Sequence, residues 1–366
     1  MYAATFSYFL VAAFSSDSDS VSGSFSLKKP IITGSHISMK AAKAPSNFKC
    51  KAVANNPVSL SEPNKLADAA IVLTRKPVRV ADTFTHWEQM IQKGLVSREE
   101  FQIKSYQTNA DMIISCDTIL KLLQEAAINH ISTTGVFGGT GFAQTPEMSA
   151  QNLSWVVTKL QIVFDDYPMW GDVIEVDTWC TQSGRNGLRI NSIVRDRTTS
   201  KILIRASSCY VIMSRISRRF CKIPDEIKAE LQPCFFDCSP FQFEDSTKTQ
   251  KLNYDSSDYV HKGLKPKWTD LDFNLHVNNV KYMDWILEST PETLLQSHSI
   301  SSMTLDYRRE CGADNTLDSL TAVYATTDTN NSTFMSAAVN CHHLLQLEDG
   351  AEVLRGRTMW RPKRPT

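Results

Sequence analysis

The chain repeats its own pattern, and that repeat limits what it can fold into. Gln161-Ile-Val-Phe-Asp-Asp-Tyr lines up with Met303-Thr-Leu-Asp-Tyr-Arg-Arg, and Ile204-Arg-Ala-Ser-Ser-Cys-Tyr lines up with Leu354-Arg-Gly-Arg-Thr-Met-Trp. A period of roughly 150 residues is too long for a solenoid unit. It marks a duplicated domain, and each copy must then bury its own hydrophobic face.

Each copy reads the same way. In the first, Phe101–Tyr106 alternates like a strand. Asp117 can cap a helix whose apolar face is Ile119, Leu122, Leu123, Ala126, Ala127 and Ile131. Strand-like runs follow at Trp155–Phe164, Asp172–Cys180, Leu188–Asp196 and Ile202–Met213. In the second, a helix over Asn279–Ser289 precedes strand-like runs at Met303–Arg309, Ser319–Ala325, Met335–Leu347 and Glu352–Trp360. The fold class is α+β: one long helix against an antiparallel sheet, twice.

The flanks are different. Residues 1–56 are serine-rich, with six lysines, no arginine and only Asp17 and Asp19 as acids. So poor a source of core side chains reads as a targeting peptide. Phe6–Phe14 has no basic stretch before it, which disfavours a secretory signal. Residues 57–79, with Pro57, Pro63 and Pro77, read as a linker. The domains are then residues 80–240 and 263–363, joined by a polar connection over 241–262. The formal net charge is zero, which argues against a nucleic-acid binder. Nine irregularly spaced cysteines do not make a disulfide framework and fit a reducing compartment. No apolar run reaches the roughly 18 residues that span a bilayer.

The chemistry concentrates in Trp268–Tyr282. Asp270, Asp272, Asn274 and His276 fall on alternate residues, which extended backbone would place on one face. Asn278 and Asn279 offer caps for the helix that follows, whose amides and dipole favour developing negative charge. A carboxylate, an amide and an imidazole together suit acid/base work on a carbonyl. Other motifs carry less. His342 and His343 are adjacent on a strand and point opposite ways, so they are not a joint metal site. Gly138–Gly141 lacks the dinucleotide fingerprint and reads as a turn. No Gly-x-Ser-x-Gly elbow occurs. Basic residues cluster at Arg215, Arg218, Arg219 and Lys222, and again at Lys262, Lys265 and Lys267.

Thr145-Pro-Glu-Met148, Tyr167-Pro-Met-Trp-Gly-Asp172, Tyr307-Arg-Arg-Glu-Cys311 and Leu347-Glu-Asp-Gly-Ala-Glu352 occur in that order. With the Trp268–Tyr282 segment they resemble the plant acyl-acyl carrier protein thioesterases, double hot-dog enzymes of plastids, from about Val78 to Lys363. The likeness is to the B type, which favours saturated chains. It implies a plastid transit peptide, a stromal enzyme, an acyl chain held by the first domain and chemistry in the second. It implies acyl carrier protein, with a phosphopantetheine-linked acyl chain, as partner. It implies no metal or organic cofactor, and it leaves a homodimer open. The site residues it implies are Asp272, Asn274, His276, Glu310 and Cys311. Two routes remain open there. Cys311 attacks the thioester with His276 as base and Asn274 as orienter, or Glu310 and His276 activate water. Hot-dog thioesterases generally need no covalent nucleophile, which favours water. Relatives usually carry arginine where this chain has Met112, and Val and Gln where it has Phe273 and Leu275. Those departures bear on substrate preference and rate. The alternatives are a hot-dog protein that binds acyl chains without cutting them, and a thioesterase acting on acyl-CoA.

Overall fold

The computed structural model describes residues 4–5, 90–91, 93–136, 143–238, 252–272, 275–325 and 338–363. The linker, nearly all of the expected transit peptide, Gly138–Gly141, Phe273 and Asn274 lie outside the described residues.

In chain order the elements are β1 (Ala4–Thr5), β2 (Val96–Gln102), α1 (Cys116–Thr133), α2 (Pro146–Ala150), β3 (Leu153–Phe164), β4 (Val173–Ser183), β5 (Gly187–Asp196) and β6 (Ile202–Ser214). They continue with α3 (Asp225–Leu231), β7 (Tyr259–Leu264), α4 (Lys281–Glu288), α5 (Glu292–Ser297), β8 (His298–Tyr307), β9 (Leu317–Ala325), β10 (Val339–Leu347) and β11 (Glu352–Pro362). The strands form one antiparallel sheet in the order β2-β4-β5-β6-β3-β8-β11-β10-β9-β7, with β1 paired to β3. The order is a palindrome of the two copies. They meet where β3 pairs with β8, from Lys159↔Asp306 to Val163↔Ser302.

Each copy lays a helix on its half of the sheet. Ile119, Leu123, Ala126, Ala127 and Ile131 of α1 are buried, on the spacing the sequence shows. Full burial of a leucine or isoleucine is worth about 1.5–3 kcal/mol over exposure. The cap differs from expectation. Ser115, not Asp117, is the N-cap residue, and its hydroxyl donates to Asp117 Oδ1 at 2.5 Å. The second helix likewise begins at Lys281 rather than Asn279, because Asn278 Oδ1 accepts from the Val280 amide at 3.2 Å and holds the preceding turn.

The duplication holds at the level of single hydrogen bonds. The amides of Asp165 and Asp166 donate to the Leu203 carbonyl, and those of Arg308 and Arg309 to the Val353 carbonyl. The Ile114 amide donates to the Pro168 carbonyl, and the Val277 amide to the Cys311 carbonyl. Leu203 thus corresponds to Val353, as the aligned Ile204 and Leu354 runs require. The other alignment is one residue out: these bonds match Gln161 with Thr304, not Met303. A one-residue slip on a strand exchanges its faces, so the correction matters.

The connection is not wholly irregular. Its end is β7, which pairs with β9 from Tyr259↔Thr321 to Leu264↔Leu317. The short helices α2, α3 and α5 also go beyond the sequence pattern; Thr145 caps α2 by accepting from the Met148 amide at 3.2 Å.

Candidate active site

The Asp272–His276 segment is not extended. Trp268–Asp270 forms a 3-10 turn, and the chain then folds back on Asp272. The Asp272 amide donates to the His276 carbonyl at 2.7 Å, and the Leu275 amide donates to the Asp272 carbonyl at 3.0 Å. Asp272 Oδ1 accepts from the His276 amide at 3.1 Å. Leu275 therefore sits in the left-handed region, with φ 60°. Asp272 and His276 are brought together by a tight loop, not by pleat. Asp272, only 8% exposed, braces that loop. The first copy repeats the device. The Asn109 amide donates to the Ile113 carbonyl, the Met112 amide to the Asn109 carbonyl, and Met112 has φ 60°. Two of the departures from the relatives, Met112 and Leu275, thus occupy the same left-handed corner of the duplicated loop.

The loop is stitched to the segment after β8. His276 pairs with Gly312, and the Val277 amide donates to the Cys311 carbonyl at 2.8 Å. This sets Glu310 Oε1 3.6 Å from His276 Nε2. The other carboxylate oxygen, Oε2, takes a hydrogen bond from the Arg218 guanidinium. The imidazole Nδ1 is buried and has no partner among the described residues. Both groups are partly open, with side chains 24% and 21% exposed. A small molecule can reach them.

Cys311 is different. It is fully buried, its Sγ makes only a weak 3.7 Å contact with the Gly312 carbonyl, and burial pushes the thiol up to about 12. Burial thus favours the neutral thiol, whereas the thiolate is the stronger nucleophile. The structure brings Asp272, His276 and Glu310 together, with Cys311 buried next to Glu310 in the chain. Asn274 falls outside the described residues. Arg218 is the residue the sequence does not announce. It lies in the basic cluster, yet it pairs with Glu310, while Arg215, Arg219 and Lys222 stay exposed.

A narrow cavity of about 30 Å³ lies beside this site. Asn279, Val280 and Tyr307 line it from the second copy, and Leu123, Val157 and Tyr210 from the first. The adjacent His342 and His343 are structural, as expected. His343 is buried between Thr321 and Thr358, at 2.9 and 2.8 Å, and His342 lies against the Tyr324 ring. Among the described residues no helix is long and apolar enough to cross a membrane.

Comparison with known proteins agrees with this arrangement. Residues 94–231 match the acyl-ACP thioesterase N-terminal domain, and residues 254–362 match the C-terminal domain. The chain is 51% identical over 278 residues to a palmitoyl-acyl carrier protein thioesterase, chloroplastic, of Arabidopsis thaliana, covering 76% of this chain and 67% of that one. It is 49% identical over 290 residues to the protein of the same description from Gossypium hirsutum, covering 79% and 69%. Among solved structures, the 12:0-ACP thioesterase from Umbellularia californica superposes with a TM-score of 0.69 at 45% identity, over 74% of this chain and 95% of that one. Both copies of the duplicated fold are matched, in order, and the chain belongs to the acyl-ACP thioesterase family.

Proposed function

We propose that this protein hydrolyses fatty acyl thioesters of acyl carrier protein in the plastid stroma, releasing saturated free fatty acids and ending chain elongation. The observation that carries the reading is the His276–Glu310 pair, 3.6 Å apart and partly open, next to a cysteine held as a neutral thiol.

A water bonded to both the imidazole and the carboxylate, at one side of the pair, attacks the thioester carbonyl. Glu310 takes its proton. Charge grows on the carbonyl oxygen, and the Asn274 amide is the side chain on this loop suited to meet it. Collapse breaks the carbon–sulfur bond. The proton taken from water returns through the pair to the leaving sulfur, giving a carboxylic acid and the carrier thiol. Asp272 holds the loop, and Arg218 holds Glu310.

The narrow cavity beside Asn279 and Tyr307, lined mainly by apolar side chains of the first copy, is where the acyl chain enters, and those side chains move apart to admit it, because about 30 Å³ is only a water's share of volume. Exposed Arg215, Arg219 and Lys222 give an acidic carrier a surface to approach. Every group used here comes from one chain, so the chemistry needs no second copy. The test is turnover of palmitoyl-acyl carrier protein by the purified protein. A folded protein that binds this substrate and releases no fatty acid would sink the hydrolase reading in favour of an acyl binder. Faster turnover of palmitoyl-CoA would favour the acyl-CoA alternative.

A further inference from the structure

The larger of two related cavities is walled by the helix and sheet of the second copy and by the loop of the first copy, which lacks the His276–Glu310 pair. Its volume is about 480 Å³, and it opens among the start of α1, the end of α4, α5, and the outer ends of β8 and β11. The duplication relates it to the narrow cavity at five positions. In the narrow cavity Val157 pairs with Tyr210 across β3 and β6. In the wide one Ile300 pairs with Trp360 across β8 and β11. Gln124, Asn279 and Val280 of the narrow cavity correspond to Leu287, Cys116 and Asp117 of the wide one. Both cavities therefore overlap at one region of the duplicated fold, between the helix of one copy, the sheet beneath it, and the loop of the other copy.

Their reactive ends differ. Where the second copy has His276, the equivalent position of the duplicated loop is Ile113. Where it has Glu310, the matched backbone bonds put Tyr167, whose hydroxyl is already donated to the Ile300 carbonyl at 2.6 Å. An isoleucine cannot accept a proton, and burial pushes the Tyr167 phenol far up. At the mouth, Lys363 Nζ pairs with Asp111 at 2.6 Å. Both are partly exposed, and such an ion pair exchanges partners readily. Much of the wall is apolar, with Ile114, Leu287, Leu295 and Trp360 among it, while Asp117 and His298 also line it.

From this correspondence we infer that the wide cavity is a second acyl-chain site, which holds a free fatty acid without cutting any thioester. The chain lies along Leu287, Leu295, Ile300 and Trp360. Its carboxylate meets Lys363 at the mouth. The occupant is thus the product of the proposed reaction, held where the loop that faces it carries Ile113 in place of His276. The inference rests on the reading that the narrow cavity takes the acyl chain of the substrate.

The experiment is equilibrium dialysis of the full chain against radiolabelled palmitic acid, with the number of chains bound per protein as the readout. Two are expected for the wild type, and one for Leu295→Trp, which fills the wide cavity. Lys363→Glu, at the rim where folding is not at stake, should weaken the second binding event at least tenfold. A count and affinity that both variants leave unchanged would overturn the second site. Turnover of palmitoyl-acyl carrier protein by the wild type separates the two readings. Turnover with binding that ignores both variants defeats the second site alone. Binding that follows the variants, with no turnover, defeats the hydrolase reading alone.

Discussion

The guanidinium of Arg218 closes on the carboxylate of Glu310, and the two residues come from different copies of the duplicated fold. Arg218 follows β6 in a left-handed turn, φ 56°, fixed by its amide donating to the Ser214 carbonyl at 2.9 Å. The first copy thus orients the carboxylate used in the second. A hydrogen bond to a charged group is worth about 1.5–3 kcal/mol net, and partial exposure reduces that. Arg218→Gln should therefore lower kcat on acyl-carrier substrate roughly tenfold, each ~1.4 kcal/mol being one decade. Arg219→Gln, on an exposed neighbour, should leave kcat alone. Steady-state kinetics of the two variants, with thermal melts to confirm folding, make the comparison.

Replacement of the site groups should separate water attack from thiolate attack. Loss of general acid/base help typically costs about 10²–10⁴-fold, so His276→Ala and Glu310→Gln should fall in that range. Asn274→Ala should cost about 10²–10³-fold if its amide meets the oxyanion. Cys311→Ala removes one buried thiol and should keep most activity. Intact-protein mass spectra during turnover should show no acyl-enzyme. A dead Cys311→Ala with an active Glu310→Gln would reverse the assignment.

The exposed cations beside the site should act through encounter. Reversal of Arg215, Arg219 and Lys222 to Glu should lower kcat/KM for acyl-carrier substrate, with the effect shrinking as salt is raised. Turnover of palmitoyl-CoA by the same variant should change little. Equal losses on both substrates would point to a damaged fold instead.

Two buried histidines set the acid side of stability. Burial holds the His130 imidazole down to about 4 and that of His343 to about 3. In the unfolded chain both titrate near the ordinary value of about 6.5. Between those values the unfolded state binds more protons, so stability is full above about 6.5 and falls as pH drops below it, by up to ~1.4 kcal/mol per pH unit for each group. Urea melts from about pH 7 to about pH 4 should show that slope. His343→Gln should lower stability overall but flatten the slope. An unchanged slope would remove His343 from the account.

What the sequence made legible was what local pattern controls. The runs of β3 to β6 and β8 to β11 alternate or bury continuously, and their positions hold to within a few residues, apart from the start of β8 and that of β10, where residues 335–337 lie outside the described residues. Asp272, His276 and Glu310 stood in recognisable segments, and the fold brings them together. The loop conformation was hidden, because the Asp272 carboxylate binds the backbone amide four residues on and so competes with the extended form that its alternation mimics. Strand β7 was hidden because all its residues but Leu264 are exposed, which leaves no alternation to read. Arg218 was hidden for another reason. Its partner is 92 residues away in the chain, and no local rule pairs them.

The two strands that terminate the sheet, β2 and β7, have a consequence for assembly. An unpaired edge is a template on which another chain can polymerise. Here both margins carry deterrents. Strand β2 presents Arg98, Glu99 and Glu100 in succession. Strand β7 carries Lys262 and breaks register between His261 and Leu264, where Gly263 turns to φ 77°. Charge at one margin and a kink at the other discourage strand-by-strand growth, so a ribbon built from ten pairing strands resists becoming the seed of a fibril.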